Sequence, residues 1–360
     1  MFGVMWNIQL RPQSPKLALL ARLCALAAAC ICAVQMGEAQ DTPLLSGGAG
    51  FFTSTNGGLT TYQPHIEPLI AAPLGNSLLF ESRAILLESI SQNGPGQTGY
   101  TDSHLASVVY MQGDYLASKH LTVVGGSFLL PFNTYNDRLS EIWIGDLQDG
   151  PLIAGLGTMG TGSGLGGMLS GNAFSNHKAS LSYNGWFSAR SGNFYFNSQR
   201  SAGLRTSLYL PDSRLEIGFS YDRKLQNTHE NFVGTHVWWE PKDTGLRLRS
   251  EYGHGEHAQG YWIQADYRTH AMGGPDNWIG RLQPVVRMQQ SFRINSLASD
   301  GVPGVNTTRT DFGLDYNLPH DVRILTSYSR QFAPNSNRNI WETGIVYRFL
   351  FPTWKGGGAQ

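Results

Sequence analysis

The segment Asn339–Phe351, "NIWETGIVYRFLF", alternates between two kinds of side chain. Every second residue from Trp341 is large or β-branched: Trp341, Thr343, Ile345, Tyr347 and Phe349. The positions between them hold Glu342, Gly344, Val346 and Arg348. Successive side chains of a β-strand point to opposite faces. The segment therefore predicts a strand that separates an apolar environment from a polar one.

The same period of two recurs along the chain. It is clear in "RLEIGFSYDR" (214–223), "GLRLRSEYG" (245–253), "WIGRLQPVVRMQ" (278–289) and "TDFGLDYNLP" (310–319). Each stretch sets leucine, isoleucine, valine, methionine or an aromatic residue against charged, amide or glycine residues. No long stretch after the first 39 residues shows the apolar spacing of a helix. The pattern predicts an all-β protein.

The composition excludes several classes of protein. Charged residues are 14% of the 360 residues, aromatic residues are 11%, and the formal net charge is zero. A disordered chain is more highly charged and poorer in aromatic residues. The chain has no excess of positive charge, so its composition does not indicate nucleic acid as a partner.

Residues 1–39 resemble a secretory signal peptide, with basic residues, then the apolar run Leu23–Val34, then the small-residue site "GEA". Cleavage after Ala39 is predicted, and a retained membrane anchor is the alternative. All three cysteines, Cys24, Cys30 and Cys32, fall in this segment, so the predicted mature chain has no disulfide. No later stretch has the apolar length of a membrane-spanning helix.

Short and long connections alternate between the strands. Short turns are predicted at Gly75-Asn76, Lys119-His120, Asp212-Ser213, Lys242-Asp243 and His320-Asp321. Longer links include Ser91–Asp102, Asn133–Asn176 and Arg293–Val305. Fourteen strands are clear, and a first strand at Gly50–Ser54 and another between Ala189 and Arg200 bring the total to about sixteen, within about fourteen to about eighteen. An even count places both termini at the short-turn end.

Three features favour a barrel in a membrane over a secreted soluble β-protein. Tyrosine and tryptophan cluster near strand ends, where rings with a polar tip favour the lipid–water boundary. One face of many strands is charged. The last strand can close the sheet onto the first, because an unpaired edge is not tolerated in hydrocarbon. The predicted fold is a closed antiparallel transmembrane β-barrel over 40–354, with a polar tail at 355–360, long loops on one side and short turns on the other.

The chain resembles the bacterial outer-membrane porins, broadly the porin O/P-like barrels. The segment Leu121–Leu139, "LTVVGGSFLLPFNTYNDRL", is similar to their strand-then-loop pattern G-x-F-x-x-P-F. The resemblance implies a passive diffusion channel, often a homotrimer, in the outer membrane of a Gram-negative bacterium. Its partners would be membrane lipid and small hydrophilic solutes or ions, with no cofactor. The sequence departs from these porins in the "PTWKGGGAQ" that follows Phe351, since they commonly finish on phenylalanine.

The polar faces of the predicted strands would line a water-filled lumen. The predicted lumen residues are Glu81, Arg83, Arg205, Glu216, Asp222, Arg247, Arg249, Glu251, Asp266, Arg268, Arg281, Arg287, Asp311, Asp315, Arg323, Glu342 and Arg348. Acidic and basic groups occur in similar number, so weak ion selectivity is expected.

The long link Asn133–Asn176 holds "TMGTGSGLGGMLSG" (158–171). Its glycines at 162, 164 and 167 match G-x-G-x-x-G, but no strand–helix context for a dinucleotide site is visible. We interpret it as a flexible loop. Two positions are open for the link Asn133–Asn176: it folds into the lumen and narrows it, or it stays outside the barrel. The constriction would use Asp137, Arg138, Glu141, Asp146 and Asp149.

No sequence motif predicts a catalytic or metal-binding site. "HGEH" at His254–His257 offers too few ligands for a zinc site, and no nucleophile-elbow motif lies in a strand–turn–helix context. The sequence therefore predicts neither an enzyme nor a metal protein. The alternative to a channel is a non-conducting outer-membrane barrel that acts as a surface adhesin or a structural protein.

Overall fold

A computed structural model describes residues 43–157, 162–191, 200–226, 229–274, 277–295, 300–334 and 336–352. The predicted signal peptide and polar tail lie outside the described residues. Within them the chain forms sixteen β-strands, whose bounds are β1 Leu44–Asn56, β2 Leu59–Leu74, β3 Leu78–Gln92, β4 Tyr100–Ser118, β5 Leu121–Leu129, β6 Ser163–Ser175, β7 Ser180–Ser191, β8 Ser201–Leu210, β9 Leu215–Lys224, β10 Asn231–Trp239, β11 Leu246–His254, β12 Ala258–Tyr267, β13 Leu282–Arg293, β14 Thr307–Leu318, β15 Val322–Ala333 and β16 Ser336–Pro352.

The strands form one closed antiparallel barrel in chain order. The seam joins β1 to β16, with partners running from Leu44 opposite Pro352 to Asn56 opposite Ile340. Closure pairs the backbone groups that an open edge would leave exposed. The predicted fold class and the count of sixteen strands are confirmed.

The two ends of the barrel differ. All five predicted short turns lie between paired strands at one end, together with both ends of the barrel chain. His320 and Asp321, in the turn between β14 and β15, have positive φ values of 64° and 57°. Tight hairpin turns often require such values. The exception at this end is the link 268–281, which holds the short helix α2, His270–Gly273.

One strand was not predicted from the sequence. It is β6, Ser163–Ser175, which lies inside the stretch interpreted as a flexible glycine-rich loop. The strand predicted between Ala189 and Arg200 overlaps the end of β7, and the rest of it, residues 192–199, lies outside the described residues. Glycine gives no polar or apolar signal, so alternation was invisible in β6. Gly166 is nevertheless required, since a Cβ there would overlap the carbonyl oxygen of Phe187.

The apolar face of each strand points outward. On β16 the exposed fractions of Trp341 and Ile345 are 59% and 47%, whereas those of Glu342 and Val346 are 3% and 2%. The same alternation runs through β8–β15, where leucine, isoleucine, phenylalanine and methionine are exposed and arginine and aspartate are buried. The interior is therefore the polar side, as predicted for a barrel in lipid.

Helices contribute little to the fold. The first, α1, is Tyr135–Arg138, and it lies in the link between β5 and β6. Among the described residues no helix has the length and apolar character needed to span a membrane.

Candidate functional site

Residues 130–157 of the link between β5 and β6 lie inside the barrel, and we call them the lumen segment. Its start is fixed by Glu251 on β11. The backbone N–H groups of Thr134 and Tyr135 each donate to Oε1 of Glu251 at 2.7 Å, and the Thr134 hydroxyl donates at 2.6 Å. Trp262 donates from its ring nitrogen to the other carboxylate oxygen at 3.0 Å. Every close partner of this buried carboxylate is thus a neutral donor, and three of these four bonds come from the lumen segment.

Two ion pairs hold α1 to the next part of the wall. Asp137 accepts bonds of 2.9 and 2.7 Å from the guanidinium of Arg205 on β8. Arg138 donates to both oxygens of Glu216 on β9 at 2.9 Å. His236, fully buried on β10, contacts the same Glu216 carboxylate at 3.2 Å. These forked geometries fix orientation as well as attraction.

The most highly charged contact is made by Asp146. Its carboxylate accepts bonds from Arg247 at 2.9 and 3.1 Å, from Arg249, and from the amides of Gln264 and Gln283 at 3.0 and 2.9 Å. Asp266 on β12 contacts the same two arginines. Burial by itself raises the pKa of Asp146, but the neighbouring Arg249, Arg247 and Arg323 outweigh it and lower the pKa to about 2.

Two further carboxylates of the lumen segment meet arginines on opposite sides of the barrel. Glu141 contacts Arg83 on β3 at 2.8 Å, and Asp149 contacts Arg309 on β14 at 2.7 Å. Arg309 also binds Asp311 on its own strand. The five residues predicted for a constriction, Asp137, Arg138, Glu141, Asp146 and Asp149, thus all contact the inner wall.

An apolar cluster completes the attachment. Phe132, Leu139, Ile153 and Leu156 of the lumen segment pack against buried apolar residues of the wall, which are Phe232, Ala258 and Trp262. Burial of such side chains is worth about 1.5–3 kcal/mol each. The lumen segment is therefore held by an apolar core against β10 and β12 as well as by ion pairs.

The link between β13 and β14 covers this cluster from the long-loop end. Val302 packs against the cluster. Arg293 holds the link by contacting Asp300 at 2.5 Å and by donating to the carbonyl oxygens of Val302 and Pro303. Burial raises the pKa of Asp300, but bonds from Arg293 and the backbone N–H of Val302 outweigh this and lower it.

The structure separates the seventeen predicted lumen residues into three groups. Eleven are buried on the inner face: Arg83, Arg205, Asp222, Arg247, Arg249, Glu251, Asp266, Arg287, Asp311, Asp315 and Glu342. Four are half-buried: Glu81, Glu216, Arg281 and Arg323. Two are exposed near the short-turn end: Arg268 and Arg348. Arg268 and Arg281 lie in the link 268–281 and not in a strand.

Other residues of the inner face escaped the sequence analysis. Arg309, Gln264, Gln283 and Gln289 are buried and contact the charged groups described above. Each lies two residues from a predicted lumen residue or on a strand of clear alternation, so the period of two could have found them. Glu67 is buried on β2, where Pro64 and Pro68 obscured the strand pattern.

Two cavities lined by described residues border the lumen segment. The long-loop cavity, of about 550 Å³, lies between the lumen segment and β1, β2, β3, β15 and β16. The short-turn cavity, of about 380 Å³, is lined by Trp143, Asp146, Arg247, Arg268 and Arg323, among others. Residues 142–149 contribute to both linings and therefore lie between them.

Within the described part of the chain, no group of three or more histidine, cysteine, aspartate and glutamate side chains is arranged to hold a metal ion. The two histidines of "HGEH" have separate partners. His254 contacts Gln259 at 3.1 Å, and His257 contacts Glu230 at 2.7 Å.

No protein-family model matches the sequence, and no curated protein matches it. Solved structures do match the fold. OmpF of Salmonella typhi in complex with daunomycin has 11% identity and a TM-score of 0.58, over 86% of this chain and 97% of that one. A loop-deletion mutant of OmpT, an outer-membrane protein of Vibrio cholerae, has 10% identity and a TM-score of 0.57, over 86% and 100%. An anion-selective porin from Comamonas acidovorans has 10% identity and a TM-score of 0.55, over 86% and 100%. The chain thus has the fold of the outer-membrane porins.

Proposed function

We propose that this chain is an outer-membrane porin-like channel for the passive diffusion of small hydrophilic solutes or ions. The proposal rests on the polar character of the barrel's inner face. A closed barrel of sixteen strands has a polar interior, and the lumen segment narrows it without filling the side along β1–β3. Barrels of 16–18 strands enclose an aqueous channel. The apolar exterior supports a location in the outer membrane of a Gram-negative bacterium.

Selectivity in this proposal comes from lumen width and the placement of charge. The predicted lumen and constriction residues act as lining, and no residue acts as a catalyst, so no enzymatic activity is proposed. The acidic groups of the lumen segment are largely neutralised by arginines of the wall. We expect weak ion selectivity for this reason.

Planar-bilayer recording of the refolded protein tests the proposal. Discrete conductance steps are expected, and their absence would refute the channel. The predicted mature chain has no cysteine, so a single introduced thiol reports on one position. Ser54→Cys places a thiol in the lining of the long-loop cavity. Ser213→Cys, at an exposed turn, is the matched control.

A cationic methanethiosulfonate reagent should lower the conductance of the Ser54→Cys protein and leave that of the Ser213→Cys protein unchanged. If the thiol at position 54 reacts and the conductance stays the same, the solute path does not run through the long-loop cavity.

The second candidate is a non-conducting barrel acting as a surface adhesin or a structural protein. The position of residues 142–149 between the two cavities favours it, because a closed partition would block passage. Swelling of liposomes in sugar solutions separates the two functions. Swelling supports the channel, and its absence together with an absence of conductance steps supports the closed barrel.

Two further predictions belong to the same proposal. We propose a homotrimer, as the resemblance to porins implies, and native mass spectrometry of the detergent-solubilised protein tests it. We also propose cleavage of a signal peptide after Ala39, which N-terminal sequencing of protein from isolated outer membranes tests.

A further inference from the structure

We propose that the long-loop cavity is a binding site for a small organic cation with an apolar body, such as a primary amine on an aromatic ring. The inference deepens the proposed function by naming a solute class, but the site itself does not require that the barrel conducts.

The charge of the lining points to a cation. Four carboxylates line the cavity: Glu67, Glu141, Asp149 and Glu342. Glu141 and Asp149 have arginine partners in the wall. Glu67, which is only 3% exposed, has no lysine or arginine partner among the described residues. Its contacts are His65 at 3.1 Å and the backbone N–H of Ile142 at 3.4 Å. A buried carboxylate without a cation is costly unless something supplies one.

An unsatisfied carboxylate oxygen points to a ligand in the same cavity. Oε2 of Glu141 is buried and has no hydrogen-bond partner among the described residues. Glu141 lines the cavity and is 9% exposed. Buried polar groups in native proteins are almost always bonded, so such atoms require an explanation. An ammonium group carries three N–H donors and no acceptor, which suits Oε2 of Glu141 and the carboxylate of Glu67.

The remaining lining is apolar. Phe52, Leu139, Leu147 and Leu325 are buried and border the cavity together with Ile142. A volume of about 550 Å³ falls within the range of about 300–1,000 Å³ that small-molecule sites occupy. The combination of an apolar wall with a few convergent polar atoms is typical of such sites and favours an amphipathic ligand over a bare metal ion.

The second cavity has the opposite character. The short-turn cavity contains three arginines, Arg247, Arg268 and Arg323, against one carboxylate, Asp146. Among the described residues that line the long-loop cavity, Arg338 is the one arginine, and it is exposed. A cation is therefore attracted to the long-loop side of the partition and repelled on the short-turn side.

The test compares 2-phenylethylamine with 2-phenylethanol, which differs by carrying a hydroxyl in place of the ammonium. Binding to the refolded wild-type protein in detergent is measured by calorimetry, without any need for conduction. We expect the amine to bind and the alcohol to bind about ten- to hundredfold more weakly. Equal affinity for the two compounds, or no binding of the amine, would overturn the inference.

Glu67→Gln removes the charge and keeps the side-chain shape. We expect it to weaken amine binding by about tenfold or more, whereas Glu88→Gln, at an exposed position on β3, should leave binding unchanged. Folding of each variant is checked by its mobility in unheated gel electrophoresis. If Glu67→Gln does not fold, the comparison of the two compounds on the wild type still decides.

The outcomes separate this inference from the proposed function. Conductance steps without amine binding overturn the cation site and leave the channel intact. Amine binding without conductance steps supports the cation site and overturns the channel.

Discussion

Replacing Asp146 by asparagine is expected to release the lumen segment from the inner wall. The substitution keeps the volume of the side chain and changes only its charge and one of its two oxygens. In the wild type both oxygens accept bonds, and every partner is a donor from Arg247, Arg249, Gln264 or Gln283. An asparagine amide nitrogen would face donors with a donor.

The magnitude follows from burial. Asp146 is 5% exposed, so water cannot replace the lost partner. Removing one member of a buried ion pair costs about 3–5 kcal/mol, because the remaining charge stays buried without compensation. Asp266 still contacts both arginines, which places the expected loss at the lower end. At 1.4 kcal/mol for each factor of ten, about 3 kcal/mol raises the population of the released segment by about a hundredfold.

Amide hydrogen exchange followed by mass spectrometry measures this release. Peptides covering 142–149 should lose about a hundredfold in protection, while peptides from β9 and β14 keep theirs. In bilayer recordings the variant should show excursions to a higher conductance, because the released segment no longer narrows the lumen.

Asp212→Asn is the control, since it makes the same chemical change at a turn where the side chain is 87% exposed. It should alter neither exchange nor conductance. If Asp146→Asn exchanges like the wild type over 142–149, the network of Asp146 does not hold the lumen segment, and the argument fails.

Three other predictions concern the barrel and its loops. Gly171→Ala should lower the free energy of unfolding in lipid vesicles by about 1–3 kcal/mol, because the added Cβ would overlap the backbone carbonyl oxygen of His120. Gly113→Ala is the control and should be near neutral, because its Cβ meets nothing within 4 Å. Equal effects of the two substitutions would contradict the packing at Gly171. Ile345→Arg places a charge on the lipid face and should lower the free energy of unfolding, measured by urea titration, by about 2–4 kcal/mol if that position lies near the midplane. Phe351→Arg, near the rim of the barrel, should lower it by about 0–1 kcal/mol. An unchanged free energy of unfolding for Ile345→Arg would contradict the outward orientation of Ile345. The pKa of Asp300 is lowered, so Asp300 stabilises the link between β13 and β14 above its ordinary pKa of 3.8, and this stabilisation is lost as the pH falls through the lowered pKa. Protection of the link against amide hydrogen exchange, corrected for intrinsic rates, should therefore be lower at about pH 2 than at about pH 6. Constant protection would contradict this role.

The sequence was sufficient for the parts of the fold that depend on neighbouring residues. Alternation along β16 identified Ile345 as outward and Glu342 as inward, because a strand has a fixed period of two and lipid imposes one polarity on it. It failed at β6, where glycine removes the alternation. The strand predicted between Ala189 and Arg200, which brought the expected count to sixteen, falls largely on residues 192–199, outside the part of the chain that the structure describes.

The candidate site was only partly visible. Charged residues on the inner face could be named from periodicity, but their partners could not, since Asp146 and Arg247 are 101 residues apart in the chain. The sequence left open whether the link Asn133–Asn176 enters the barrel or remains outside. Only closure of the sheet brings β3, β8 and β11 around a common axis and places the arginines where the lumen segment can meet them.

The sequence by itself determined that the strands have an apolar and a polar face, and hence that the barrel exposes one to lipid and encloses the other. The tertiary structure decided which charges neutralise one another and which, like Glu67, lie beside a cavity with no lysine or arginine partner in the described part of the chain. The physical reason is range: side-chain alternation is set by the geometry of adjacent peptide units, whereas electrostatic pairing depends on distances that exist only after the barrel has closed.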